Sequence, residues 1–186
     1  MSDAFAYLSV LLSIILGLAM AEILQGYGRL LISRAAVKLY APPLIWSAMM
    51  LLMATQFWWA SFGLAKREHW DFAAFCAVLL QTVVMYMGSA LVLPRFGPDQ
   101  DIDLRAHYYR EATPFFGFGL AFIVLGFAKD LLLGRTMPGM IMGFMAFFGA
   151  VTMVALVSRK PRIHEIIAPG MAATIIVYFA IMFWWL

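Results

Sequence analysis

Three ionisable side chains stand inside long apolar stretches: Glu22, Lys129 and Asp130. A charge at the centre of a membrane helix costs at least ~2.5 kcal/mol, so each needs a partner or a task. The task open to them is to face a solute at the mouths of a path. Glu22 lies toward one end of its stretch, and Lys129 and Asp130 toward the opposite end of theirs. At a helical rise of about 1.5 Å per residue the two places differ in depth by roughly 15 to 20 Å, which rules out a direct bridge. Glu22 has two readings: a vestibule charge, or a carboxylate paired with Arg29 or a nearby backbone group. Lys129 is expected to snorkel to the outer headgroups. A second polar set sits nearer the midplane, with Gln81, Thr82 and Tyr86 in one stretch and Thr174 and Tyr178 in another. Each Thr–Tyr pair is four residues apart and so shares a helix face. Such faces line a path or bond across packed helices, the latter for roughly 0.6 to 2 kcal/mol each.

Catalytic and metal chemistry find less support. His69, His107 and His164 fall in three connections, the first on one side of the membrane and the others on the opposite side, so they cannot ligate one metal or haem. Asp99, Asp101 and Asp103 imitate a calcium loop, but Leu104 replaces the glycine of the turn and Arg110 the final glutamate. Asp103 is expected instead to cap a short interfacial helix through Arg105, His107, Tyr108, Tyr109 and Arg110 to Thr113-Pro114. The single Cys76 excludes an intramolecular disulfide and reads as packing. There is no Ser–His pair, phosphate-binding glycine loop or HExxH; no cofactor, metal site or catalytic set is predicted.

The elements that must position these residues follow from composition. Apolar residues make up 65% of the 186-residue chain and charged ones 12%, with a mean hydropathy of +0.90. That surface needs hydrocarbon as its solvent. Six stretches reach the roughly 20 residues needed to cross a bilayer: Phe5 to Gln25, Leu44 to Leu64, Phe72 to Leu93, Phe115 to Leu133, Met137 to Val157 and Ile166 to Leu186. Pro42 and Pro43, Pro94, Gly97 and Pro98, Thr113 and Pro114, Pro138 and Gly139, and Pro161 punctuate them. The expected fold is all-α, a polytopic helical membrane bundle forming a single transmembrane domain over residues 1–186.

Charge sets the orientation. Arg29, Arg34, Lys38, Arg95, Arg105, Arg110, Arg159, Lys160 and Arg162 follow the odd-numbered spans, while only Lys66, Arg67 and Arg135 lie in the other connections. Nine against three puts the first group in the cytoplasm and both termini outside. Trp58, Trp59, Trp70, Trp184 and Trp185 then fall at the outer interface. Ala19-Met20-Ala21 imitates a signal-peptidase site, but no basic region precedes it and Asp3 is acidic, so a retained first helix is expected. The net charge of +3 is spread over three connections and accounted for by topology and anionic lipid, and no nucleic-acid motif occurs.

A faint internal repeat adds a topological expectation. Ile14 to Ala19 matches Ile123 to Ala128, Thr82 to Met87 matches Thr174 to Phe179, and Pro43 and Pro138 open the second helix of each half. Halves over residues 1–93 and 114–186, joined by a cytoplasmic connection over 94–113, each hold three spans and would be inverted, as in many transporters. Chance alignment of apolar helices is the alternative. Ser9, Ser13, Gly17 and Ala21 repeat every four positions, suiting an internal seam or a homodimer face. Pro169-Gly170 marks a kink or break in the last span.

The opening YLSVLLSIILGLAMAEILQGYGRLL, the QFWW of residues 56–59 and DIDLRAHYYR resemble segments of small bacterial inner-membrane proteins with about six spans. The resemblance implies an inner-membrane location and carries no activity or functional residues. AFAYLSVLLSIILGLAMAEI also resembles the first helix of six-helix bacterial potassium channels of the organellar type, without their Phe-Ser-Asp. The first functional expectation is transport or conduction of a small solute or ion. An accessory or assembly subunit of a larger membrane complex is second, and a lipid-acting membrane enzyme third. The expected partners are the bilayer and a homo-oligomer or larger membrane complex, with no nucleic acid.

Overall fold

The computed structural model describes residues 3–32, 37–67, 69–95, 101–134, 136 and 138–184. Arg34, Gly97, Pro98, Asp99, Arg135, Met137, Trp185 and Leu186 lie outside the described residues, as do the side chains of Asp3 and Trp184.

Six helices carry the chain: α1 (Asp3–Ile32), α2 (Ala41–Ser61), α3 (Phe72–Val92), α4 (Leu104–Leu132), α5 (Gly139–Val157) and α6 (Pro161–Trp184). A 3-10 turn, Phe62–Leu64, follows α2, and a parallel strand pair joins β1 (Val37–Lys38) to β2 (Ile102–Asp103). The protein is an all-α helical bundle, and five of its helices are long and apolar enough to cross a membrane. α2 falls short of the six spans expected. It has 21 residues and no charged one, but Pro42, Pro43, Gln56 and three tryptophans dilute its hydropathy. Its neighbours explain the tolerance, because α2 packs on α1, α3, α4 and α6 and so meets protein where another helix would meet lipid.

Helix ends follow local chemistry. Asp71 accepts from the Ala74 N–H at 2.7 Å to start α3, and Asp103 accepts from the Ala106 N–H at 2.9 Å to start α4. Pro42 and Pro43 occupy the first turn of α2 and Pro161 opens α6, positions where the missing N–H costs nothing. Gly134, with φ of 62°, takes the left-handed conformation just past α4 that closes a helix cheaply only in glycine.

Two expectations about these ends are corrected, and the break weighed at Pro169 does not occur. The segment after Asp103 is no separate interfacial helix, because α4 runs unbroken through Pro114. α6 likewise runs through Pro169, and α1 continues to Ile32. A proline costs one backbone bond, and in a bundle its neighbours absorb that loss. At 29 and 30 residues α4 and α1 span roughly 45 Å, longer than the ~30 Å hydrocarbon core, so both project beyond it.

Helix contacts close a circuit, α1 to α3, α3 to α4, α4 to α5, α5 to α6, α6 to α2 and α2 back to α1, with α2 also reaching α3 and α4. Small residues set the closest approaches. A Cβ on Gly26 would lie 2.7 Å from Leu93 Cδ1, and one on Gly126 would lie 2.9 Å from Met145 Cε and 3.0 Å from Gln81 Nε2. The small stripe on α1 lies beside the core: Gly17 meets open space, Ser13 is exposed but accepts from Trp58 of α2 at 3.2 Å, and the buried stripe is Leu8, Leu12, Leu16, Ala19 and Ile23. α5 is the least covered helix, burying only Thr152 and Ala155.

The chain alternates direction, so the connections sort into two ends. β1–β2 pairing and the contacts of Tyr40 with Tyr109 and Glu165 gather the α1–α2, α3–α4 and α5–α6 connections at one end, rich in Arg and Lys. At the opposite end Arg67 donates to the Leu133 carbonyl at 2.8 Å, and the Phe5 and Trp70 rings stack.

Candidate functional site

The intramembrane charges are paired. Arg95, just past α3, donates to Glu22 Oε1 at 2.7 Å. This partner replaces the Arg29 expected from sequence; Glu22 and Arg29 are seven residues apart on one helix, too far for contact, whereas Arg95 arrives from the packed neighbour. Lys129 lies 3.8 Å from Asp130 and 5.7 Å over the Phe57 ring, so it turns toward α2 instead of snorkelling outward. Glu22 belongs to the basic end and Lys129 and Asp130 to the other, as their sequence positions required.

The midplane set separates into three environments. Gln81, 3% exposed, donates across to the Phe122 carbonyl of α4 at 3.1 Å, and its own Oε1 has no hydrogen-bond partner among the described residues. Thr82 and Thr174 bond back to Val78 and Gly170 on their own helices. Tyr86 is half-buried on α3, while Tyr178 meets Phe144 of α5 edge to face. α3 and α6 are not neighbours in the circuit, so the two Thr–Tyr faces do not line one interface.

The most organised chemistry lies at the basic end. His164, 1% exposed near the start of α6, is ringed by Tyr108, Tyr109 and Phe116 of α4. Its Nε2 lies 2.8 Å from the Ser158 carbonyl, which only accepts, so Nε2 carries the proton. In the neutral ring Nδ1 then accepts from the Tyr108 hydroxyl at 2.8 Å. His107 obeys the same rule, donating from Nε2 to the Leu91 carbonyl and accepting at Nδ1 from Arg110.

Tyr40, in the extended turn before α2, links three elements. Its hydroxyl donates to Glu165 Oε1 over a long 3.3 Å, and with that proton used it accepts from Tyr109 at 3.0 Å. Burial pushes the Tyr40 phenol above the usual tyrosine range, and its bond with Tyr109 and the nearby Glu165 carboxylate push it further. The Arg105 guanidinium lies over the Tyr40 ring at 5.7 Å. Arg159 ties the α5–α6 connection to α4 by donating to Thr113 at 3.1 Å.

Beside this network opens a cleft of about 480 Å³ lined by Arg105, Lys160, Pro161, Arg162, Ile163 and Glu165. Among the described residues, none of its three cations has a carboxylate within ion-pair distance. A second cleft, of about 530 Å³ and lined by Trp59, Ala60, Phe62 and Gly63, opens at the opposite end.

Compared with protein families, curated proteins and solved structures, the chain matches none. Its chemistry must therefore be read from its own side chains. The basic cleft presents three cationic side chains to an anion, and Tyr40 links two of its lining residues, Glu165 and Arg105, to the Tyr–His network. Sequence reasoning assigned the Arg105–Arg110 segment to anchoring and left His164 as an isolated connection histidine. The signal available was the alternation of the helices, which brings every odd-to-even connection, and so Tyr40, Tyr109 and Glu165, to one end; their contact is set by the packing.

Proposed function

We propose that this integral membrane protein binds an anionic, phosphate-bearing amphiphile at its basic end, acting as an accessory lipid-binding component of the inner membrane. The observation that carries this reading is the cleft in which Arg105, Lys160 and Arg162 stand, among the described residues, without carboxylate partners beside apolar Pro161 and Ile163. Lys38, Arg95, Arg110 and Lys129 have carboxylate partners, and Arg67 and Arg159 bond to carbonyl or hydroxyl oxygens. The basic end then faces the cytoplasm, where anionic headgroups concentrate and each nearby Lys or Arg contributes about 1 kcal/mol. Both termini lie on the outer side in this reading.

The test is thermal unfolding of the purified protein in a neutral detergent with added lipid. Anionic phospholipid is expected to raise Tm, zwitterionic lipid of the same chain length to leave it unchanged, and the combined Arg105→Gln, Lys160→Gln, Arg162→Gln variant to lose the response. An equal rise with both lipids would contradict the proposal.

Transport of a small solute is a second reading, favoured by one observation: the buried Gln81 Oε1, an acceptor with no partner among the described residues. The pairing of Glu22 with Arg95 argues instead that this charge ties α1 to the end of α3, while Lys129 and Asp130 satisfy each other within α4. Proton, sodium or potassium flux into vesicles that Glu22→Gln or Gln81→Leu alters would favour this reading. No flux above empty vesicles would remove it.

A further inference from the structure

The basic cleft has a charge count as well as a shape. Three cations and one carboxylate line it, leaving a net charge of +2. Glu165, the one carboxylate of the lining, accepts from Tyr40 at 3.3 Å, and Tyr40 is itself bonded to Tyr109. Arg105 is positioned by the same residue, its guanidinium lying over the Tyr40 ring. Lys160 and Arg162 flank the opening of α6, whose first turn contains no acidic residue to compete with an incoming anion. The next cation along, Arg159, is occupied with Thr113.

Resting on the lipid-binding reading above, we propose that the cleft selects a phosphate monoester dianion over a phosphate diester. A monoester carries close to two negative charges at neutral pH and three terminal oxygens, which match the cleft's net charge and its three donors. A diester carries one charge, offers fewer free oxygens and leaves one unit of positive charge uncompensated. The apolar Pro161 and Ile163 and the place of the cleft at the end of membrane helices point to a monoester borne on a lipid. A soluble monoester shares the chemistry and is separated from it by experiment.

The experiment measures binding of the full chain in nanodiscs of zwitterionic lipid containing either a monoester phospholipid or a diester phospholipid, with the two matched for total surface charge. The monoester is expected to bind on the order of tenfold tighter. The Arg105→Gln, Lys160→Gln, Arg162→Gln variant should erase that difference, while Lys66→Gln with Arg67→Gln, at the other end, should keep it. Glycerol phosphate added in solution locates the source: competition only at millimolar concentration upholds a lipid-borne ligand, and micromolar competition overturns it. Equal binding of the two lipids by the wild type, lost in the triple variant, would overturn the monoester preference and leave the lipid-binding reading intact. Equal retention of both lipids by wild type and triple variant would overturn that reading as well.

Discussion

At the basic end, side chains bond from one element to another: His164 to Tyr108, Tyr40 to Tyr109 and Glu165, Arg95 to Glu22 and Arg159 to Thr113. In the middle of the bundle the hydroxyls turn back on their own helices, as at Thr55, Thr82, Ser89 and Thr174, and Gln81 alone of the midplane set reaches across. The difference shows two ways of holding helices in hydrocarbon. Where water is near, polar side chains fix the geometry of connections; where it is absent, close packing does the work and polar groups satisfy themselves locally.

Substitutions that exploit this contrast should differ in size. His164→Ala is expected to cost about 2 to 4 kcal/mol, since it opens a buried cavity and strands the Tyr108 hydroxyl. Denaturation in mixed micelles measures it, and a cost below that of any midplane threonine would break the contrast. Gly126→Ala tests the packed middle: its Cβ would press on Met145 and the Gln81 amide, for about 1 to 2 kcal/mol.

Tyr40→Phe should cost about 1 kcal/mol and change the response to alkali. Because the folded state raises the Tyr40 phenol, its contribution is complete below pH about 10, the ordinary tyrosine value, and is lost as pH climbs toward the raised one. Unfolding at pH 9 and pH 11 should therefore show a steeper loss in wild type than in the variant. Thr82→Val is the smallest effect, within about 0.5 kcal/mol, because only a local backbone bond disappears. A cost comparable to Tyr40→Phe would show the middle of the bundle to depend on polar bonds after all.

Much of the fold was legible from hydropathy alone. Apolar length located the helices, and Asp103 announced the start of α4. Proline misled at the start of α4, because Pro114 looks like a boundary to a local reading and is carried through by tertiary packing, whereas Pro169, read as a kink or a break, lies within an unbroken α6. The site was less legible. Glu22 was singled out for its cost in hydrocarbon, but its partner lies 73 positions away, beyond any local pattern. His164 was weighed only as a metal ligand and set aside, since burial of a histidine beside a basic run depends on which connections share an end. That placement is a property of the assembled bundle.

What the basic end holds that the middle does not comes down to whether Arg105, Lys160 and Arg162 bind an anion. Native mass spectrometry of protein released from membranes in mild detergent tests this most directly. Wild type and the Lys66→Gln, Arg67→Gln variant should retain a phosphate-bearing lipid, and the Arg105→Gln, Lys160→Gln, Arg162→Gln variant should lose it. Equal retention by all three, or none by wild type, would contradict a built anion site at the basic end.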